Sequence, residues 1–177
     1  MACRTCHDAR MRRGTAAIGS VVFFVVAPGI VVGLLPWWMT AWDLRFDWSP
    51  LVRVVGLVLL VVGVAVLVQA FARFVVEGLG TPAPVAPTER LVVGGWYRYV
   101  RNPMYVAVVT AIVGQGLWFG QPVLLGYGAL VWVLVAAFVR GYEEPHLTRQ
   151  FGDDYRAYRA AVPGWIPRLR PWDPESR

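Results

Sequence analysis

Two clusters of reactive side chains flank one long apolar stretch. The first is YRYVRNPMYV at residues 97–106, which sets Tyr97, Arg98, Tyr99, Arg101 and Tyr105 around the pair Asn102-Pro103; the second is the adjacent carboxylates Glu143 and Glu144. From Asn102 to Val139 no side chain is charged. Two carboxylates at such a boundary are costly unless they stay in water, pair with arginines, or receive a ligand's hydroxyls or positive charge. The first cluster offers complementary chemistry. Gly94 and Gly95 permit close backbone approach, Pro103 suits the first turn of a helix whose free N–H groups attract an anion, and the aromatic rings can flank an adenine. A nucleotide-like ligand would use all three. With no ligand, the same residues make an interfacial aromatic belt with snorkelling arginines, and the carboxylates balance Arg101 and Arg140 in water.

The elements that would bring the clusters together follow from composition. The chain of 177 residues is 57% hydrophobic and 16% charged, too apolar for an ordinary soluble domain. Apolar runs between Arg13 and Asp43 and between Arg53 and Arg73 are each long enough for the ~20 residues that cross hydrocarbon. The third run is about twice one span and is interrupted by GLWFGQP, where Gly and Pro favour a turn. It predicts a helical hairpin with arms Pro103 to Trp118 and Pro122 to Val139. A hairpin returns its exit beside its entrance, so Glu143 and Glu144 are expected near Arg101 and Asn102. The expected fold is therefore all-α: a polytopic membrane protein of about four transmembrane helices, the last two paired, with a short helical tail. Segments are expected at 1–16 (N-terminal), 17–89 (two-helix scaffold and proline-rich linker), 90–170 (hairpin and tail core) and 171–177.

Arginines set the orientation. Arg4, Arg10, Arg12 and Arg13 precede the first span, and Arg73, Arg90, Arg98 and Arg101 crowd the connection between the second and third. Both ends are then expected in the cytoplasm. The net charge of +6 suits anionic lipid headgroups and requires no nucleic acid. Within the first two spans Gln69 is the one polar side chain with reach, and it is expected to make an interhelical hydrogen bond.

The opening MACRTCH contains Cys-x-x-Cys-His, the attachment pattern of c-type haem. It precedes any apolar segment and sits behind arginines that hold it in the cytoplasm, away from export. It offers at most three ligands to zinc, so no metal site is expected, and Cys3 and Cys6 suggest no structural disulfide.

RNPMY at 101–105 after GGWYRYV, YEEP at 142–145 and FGDDYRAYRAAVPGWIP at 151–167 together resemble the integral-membrane methyltransferases of the isoprenylcysteine carboxyl methyltransferase and phospholipid N-methyltransferase superfamily, over roughly residues 90–170. Asn102 stands where the isoprenylcysteine branch usually has histidine. Asn-Pro-Met-Tyr and Tyr-Glu-Glu-Pro are similar to the phosphatidylethanolamine pattern, and the Phe-Gly-x-x-Tyr-x-x-Tyr tail is similar to the isoprenylcysteine branch and its bacterial relatives. The resemblance implies binding of S-adenosylmethionine at the hairpin mouth, by Gly95, Tyr97, Arg101, Asn102, Pro103, Tyr105, Glu143 and Glu144. It implies Arg101, Glu144 and Tyr105 as catalytic groups, and Tyr155, Arg156 and Trp165 against a lipophilic acceptor entering from the bilayer. Location in a bacterial inner (plasma) membrane follows. A carboxylate or thiolate acceptor would need only positioning, whereas an amine must also lose a proton, with Glu144 or Tyr105 the nearest base. The acceptor stays open among phospholipid, prenylated acid, quinone-like lipid and hydrophobic xenobiotic. The alternatives are a non-enzymatic membrane scaffold and a redox protein built on the N-terminal cysteines.

Overall fold

The computed structural model describes residues 26–78 and 91–173. The Cys-x-x-Cys-His segment, the beginning of the first span, the proline-rich linker and residues 174–177 lie outside the described residues. Among the described residues every regular element is helical: α1 (Val26–Thr40), α2 (Pro50–Gly78), α3 (Pro103–Trp118), α4 (Pro122–Phe138) and α5 (Glu144–Ala161). A 3-10 turn, Gly95–Arg98, precedes α3, and a π turn, Val139–Glu143, joins α4 to α5. Prolines open α2, α3 and α4, where their missing N–H costs nothing and their fixed φ suits the first turn.

By length and composition α2 and the helix beginning at Pro122 can cross a bilayer, and α1 and α3 are shorter apolar helices. Their outward faces are apolar as well. Val54, Val58 and Val61 of α2 and Leu130, Val133 and Leu134 of α4 are each about half exposed, an arrangement that suits lipid and not water. The chain is an all-helical, polytopic membrane protein.

Small residues bring α2 and α3 into close contact. A Cβ at Gly114 would lie 2.4 Å from the Leu60 nitrogen, and one at Gly63 would lie 2.8 Å from that of Ala111. Without a hydrophobic drive in lipid, such backbone proximity is what holds helices together. The hairpin turn falls at the expected GLWFGQP. Gly120 has φ +63 and sits so near Phe46 that any side chain would clash with its carbonyl, while the Gln121 N–H closes the turn on Gly116 O at 2.8 Å.

The first helix carries a defect with a sequence cause. Pro36 has no N–H, so the carbonyl of Val32, four residues back, has no helical donor. One residue earlier, the Leu35 N–H bonds to Ile30 O in a π pattern, which frees the carbonyl of Val31. Both are met from the hairpin: Gln115 Nε2 donates to Val32 O at 2.7 Å, and the Tyr127 hydroxyl donates to Val31 O at 3.0 Å. In lipid an unmet carbonyl costs several kcal/mol, roughly, so these bonds fix α1 to α3 and α4.

Beyond the π turn, α5 is broken at Gly152, whose φ +55 and ψ −123 are accessible only to glycine. The second half turns back, and Tyr155, Tyr158 and Val162 pack with Leu91, Val93 and Trp172. Residues 162–172 then cross the mouth of the hairpin as a strap. The Arg101 N–H donates to Pro163 O, the Arg168 N–H to Tyr99 O and the Trp172 N–H to Arg98 O, all within 3.0 Å.

Candidate functional site

The hairpin mouth is where the two sequence clusters meet. Pro122 starts α4 after a tight turn, so α4 runs back along α3 and delivers Glu143 and Glu144 beside the residues that open α3. Arg101 Nη1 donates to Glu144 Oε1 at 2.7 Å, and Tyr105 donates its hydroxyl proton to Glu143 Oε2 at 3.1 Å.

The two carboxylates have different surroundings. Glu144 is buried and holds a second guanidinium, that of Arg159, at 3.1 Å from Oε2. Two positive groups thus surround one negative charge. Among the described residues no guanidinium pairs with Glu143. Burial pushes its carboxyl above the ordinary range, the Tyr105 hydrogen bond pulls it partly back, and the neighbouring Glu144 adds to the rise. Glu143 is therefore the carboxyl of the pair that lacks a cationic partner among the described residues.

One cavity of about 640 Å³ takes in both carboxylates, Arg101, Asn102, Tyr105 and Tyr155. Its outer lip carries an aromatic stack: Phe138 against Tyr142 at 5.3 Å, and Tyr142 against His146 at 5.8 Å with rings 5° from parallel. At the mouth no side chain caps the first turn of α3. Asn102 occupies the cap position, yet its Nδ2 donates instead to Gly164 O at 3.0 Å, and the residue is buried.

The other residues singled out from the sequence fall into two groups. Tyr97 and Pro103 line the cavity, and Tyr97 lends its carbonyl to the Tyr158 hydroxyl at 2.7 Å. Burial pushes the Tyr155 and Tyr158 hydroxyls up, which keeps both neutral at physiological pH. Gly95, Arg156 and Trp165 do not line the cavity. Gly95 has φ +56 and faces the stem of Arg73. Arg156 pairs with Asp153 on the exposed side of α5, and Trp165 packs edge-on against Trp132 of α4 at 6.2 Å. Gln69 accepts from the Trp96 indole, a bond between α2 and the 3-10 turn rather than between two spans.

Four residues that matter here were not singled out. Gln115 is an isolated polar residue in an apolar run and Tyr127 a lone hydroxyl in another, signals a sequence can carry. Arg159 and Gly152 are different, because nothing local ties either to Glu144.

A family model described as phospholipid methyltransferase matches residues 51–154, more than half of the chain, from the first turn of α2 into α5. The chain belongs to the phospholipid methyltransferase family. The superfamily resemblance carried by residues 90–170 is thereby shown. Over 80 residues the chain is 36% identical to a protein-S-isoprenylcysteine O-methyltransferase of Schizosaccharomyces pombe, covering 45% of this chain and 34% of that protein. The chain thus spans about a third of the length of that curated relative. It is also 33% identical over 64 residues to an uncharacterized protein of Haemophilus influenzae, covering 36% of this chain and 100% of that protein.

Proposed function

We propose that this phospholipid methyltransferase family member transfers a methyl group from S-adenosylmethionine to a lipophilic acceptor at the hairpin mouth. The observation that carries the proposal is Glu143: a half-buried carboxyl group with no guanidinium partner among the described residues, in the same cavity as an uncapped helix start and an aromatic stack. The donor set fits the cofactor. Glu143 suits a positive group, the first-turn N–H groups of α3 suit a carboxylate, and the Tyr142 and His146 rings suit a flat heterocycle. When bound, S-adenosylmethionine supplies a methyl group activated by a sulfonium.

The chain's own residues then have separable tasks. Glu143 balances positive charge, and Tyr105 orients it by the hydroxyl bond to Oε2. Glu144 is a positioning residue, because both its oxygens are taken by Arg101 and Arg159. Arg101 is likewise occupied: Nε donates to Val162 O at 2.9 Å and Nη1 to Glu144. It ties the strap to the hairpin and so fixes the mouth. Alignment supplies most of the rate in a displacement at carbon, and a mouth held this rigidly serves it. An amine acceptor would find its proton acceptor in Glu143, which lines the cavity.

The same proposal sets the mouth and both termini on the cytoplasmic side of a bacterial inner membrane, supported by the arginines around residues 4–13 and 90–101. Calorimetric titration of S-adenosylmethionine into the purified chain is the test. Saturable binding that Glu143→Gln weakens far more than Glu144→Gln supports these roles. No binding to a folded chain rejects the cofactor.

A further inference from the structure

The cavity does not stop at the mouth. From Glu143 it runs along α4 to Tyr127, sixteen residues earlier, a distance of about 24 Å at ~1.5 Å per helical residue. Leu130, Leu134 and Phe138 line it and are nevertheless 55%, 60% and 44% exposed, so the slot opens sideways toward lipid. Its far end is built differently. The Tyr127 hydroxyl is fixed to the Val31 carbonyl that the π turn of α1 releases, and behind the ring Ile112 and Leu124 have no exposed surface. The slot is open at its side and closed at its depth.

Size limits what can lie there. About 640 Å³ is within the ~300–1,000 Å³ of pockets that hold one drug-sized ligand. With the polar end given to the cofactor, the apolar remainder takes one slender chain and not two side by side.

We propose that Tyr127 is the floor of the acceptor compartment: a single-chain amphiphile lies with its head toward Glu143 and its tail tip against the Tyr127 ring, which sets the longest chain accepted. What fills the polar end rests on the methyltransferase proposal above; the floor rests on the Tyr127–Val31 lock and the packing behind it.

The test uses the full-length chain in lipid nanodiscs and single-chain alkyl amphiphiles of graded length, each with a photoreactive diazirine at the tail tip. Labelled positions are read by mass spectrometry. Labelling of cavity-lining peptides is expected to rise until the tip reaches Tyr127 and to drop severalfold for longer chains. Tyr127→Ala should move that cutoff to longer chains. Val131→Phe, one turn nearer the carboxylates, should move it to shorter ones, and this second variant decides the matter if Tyr127→Ala does not fold. The same cutoff in wild type and in every folded variant overturns the floor. Because photolabelling needs no methyl transfer, a shifted cutoff in a chain that transfers no methyl group supports the floor and rejects the reaction alone. Methyl transfer with an unshifted cutoff rejects the floor alone.

Discussion

Two adjacent glutamates with the same side chain end up in different surroundings because of what each can reach. Glu144 sits between two guanidiniums, so Glu144→Gln leaves the partly buried Arg101 without its charge partner and is expected to cost about 3 kcal/mol of stability, read as a lowered melting temperature. Glu143→Gln removes no internal ion pair. It should not lower the melting temperature, and it should weaken S-adenosylmethionine by the worth of a charged hydrogen bond, about 1.5–3 kcal/mol, or roughly ten- to hundredfold in Kd. The sign of the pH effect follows from burial. The ligand-free fold holds the Glu143 carboxyl above the ordinary range, so it favours the neutral form. Stability from this group is present below the ordinary carboxylate range and is lost as pH rises through the raised value. Over the same window the negative charge forms and affinity for a cationic ligand should rise. Paired melting and binding curves across that window check both, and Glu143→Gln should flatten the two together. The sequence made the pair at 143–144 legible, but not which member is free. The deciding contact comes from Arg159, fifteen residues on, where a straight helix would carry it ~22 Å away.

Gly152 is what brings Arg159 back. Its φ and ψ are open only to glycine, and no atom lies within 4 Å of a Cβ built there, so Gly152→Ala tests backbone conformation without steric contact. The substitution should cost about 1–3 kcal/mol and loosen the strap, seen as faster amide exchange over residues 153–172. A second element-scale device is the lock between α1 and the hairpin. Gln115→Leu leaves the Val32 carbonyl without a donor, and a loss of about 1–3 kcal/mol is expected in thermal unfolding in detergent. The hairpin itself was legible, since an uncharged run twice one span with GLWFGQP at its middle has little else to become. Pro36, which orphans the Val32 carbonyl, was visible in the sequence although nothing was read from it there. The partner of that carbonyl was not: residues 32 and 115 are joined only by packing, and no local pattern links them. Gly95, Arg156 and Trp165 belonged to the expected site through motif neighbourhood alone, and the 3-10 turn, Asp153 and Trp132 draw them elsewhere.

At the scale of the molecule, one hairpin, one strap and one bent helix form a polar mouth over an apolar slot that opens toward lipid. Four elements converge there: the 3-10 turn, the start of α3, the π turn and α5. The apolar runs and arginine asymmetry were sufficient to read a membrane protein with its chemistry at one end. They could not give the depth of the slot, which depends on how a proline in α1 rearranges its carbonyls. The central claim is methyl transfer to a lipophile from this mouth, and one measurement addresses it directly. The purified chain is incubated with S-adenosylmethionine carrying an isotopically labelled methyl group and a total lipid extract, and lipid-soluble products are analysed by mass spectrometry. Label should appear in a lipophilic acceptor with the wild-type chain and fall at least tenfold with Glu143→Gln; a folded wild-type chain that binds the cofactor yet labels no lipid, or equal labelling by both proteins, would contradict the account.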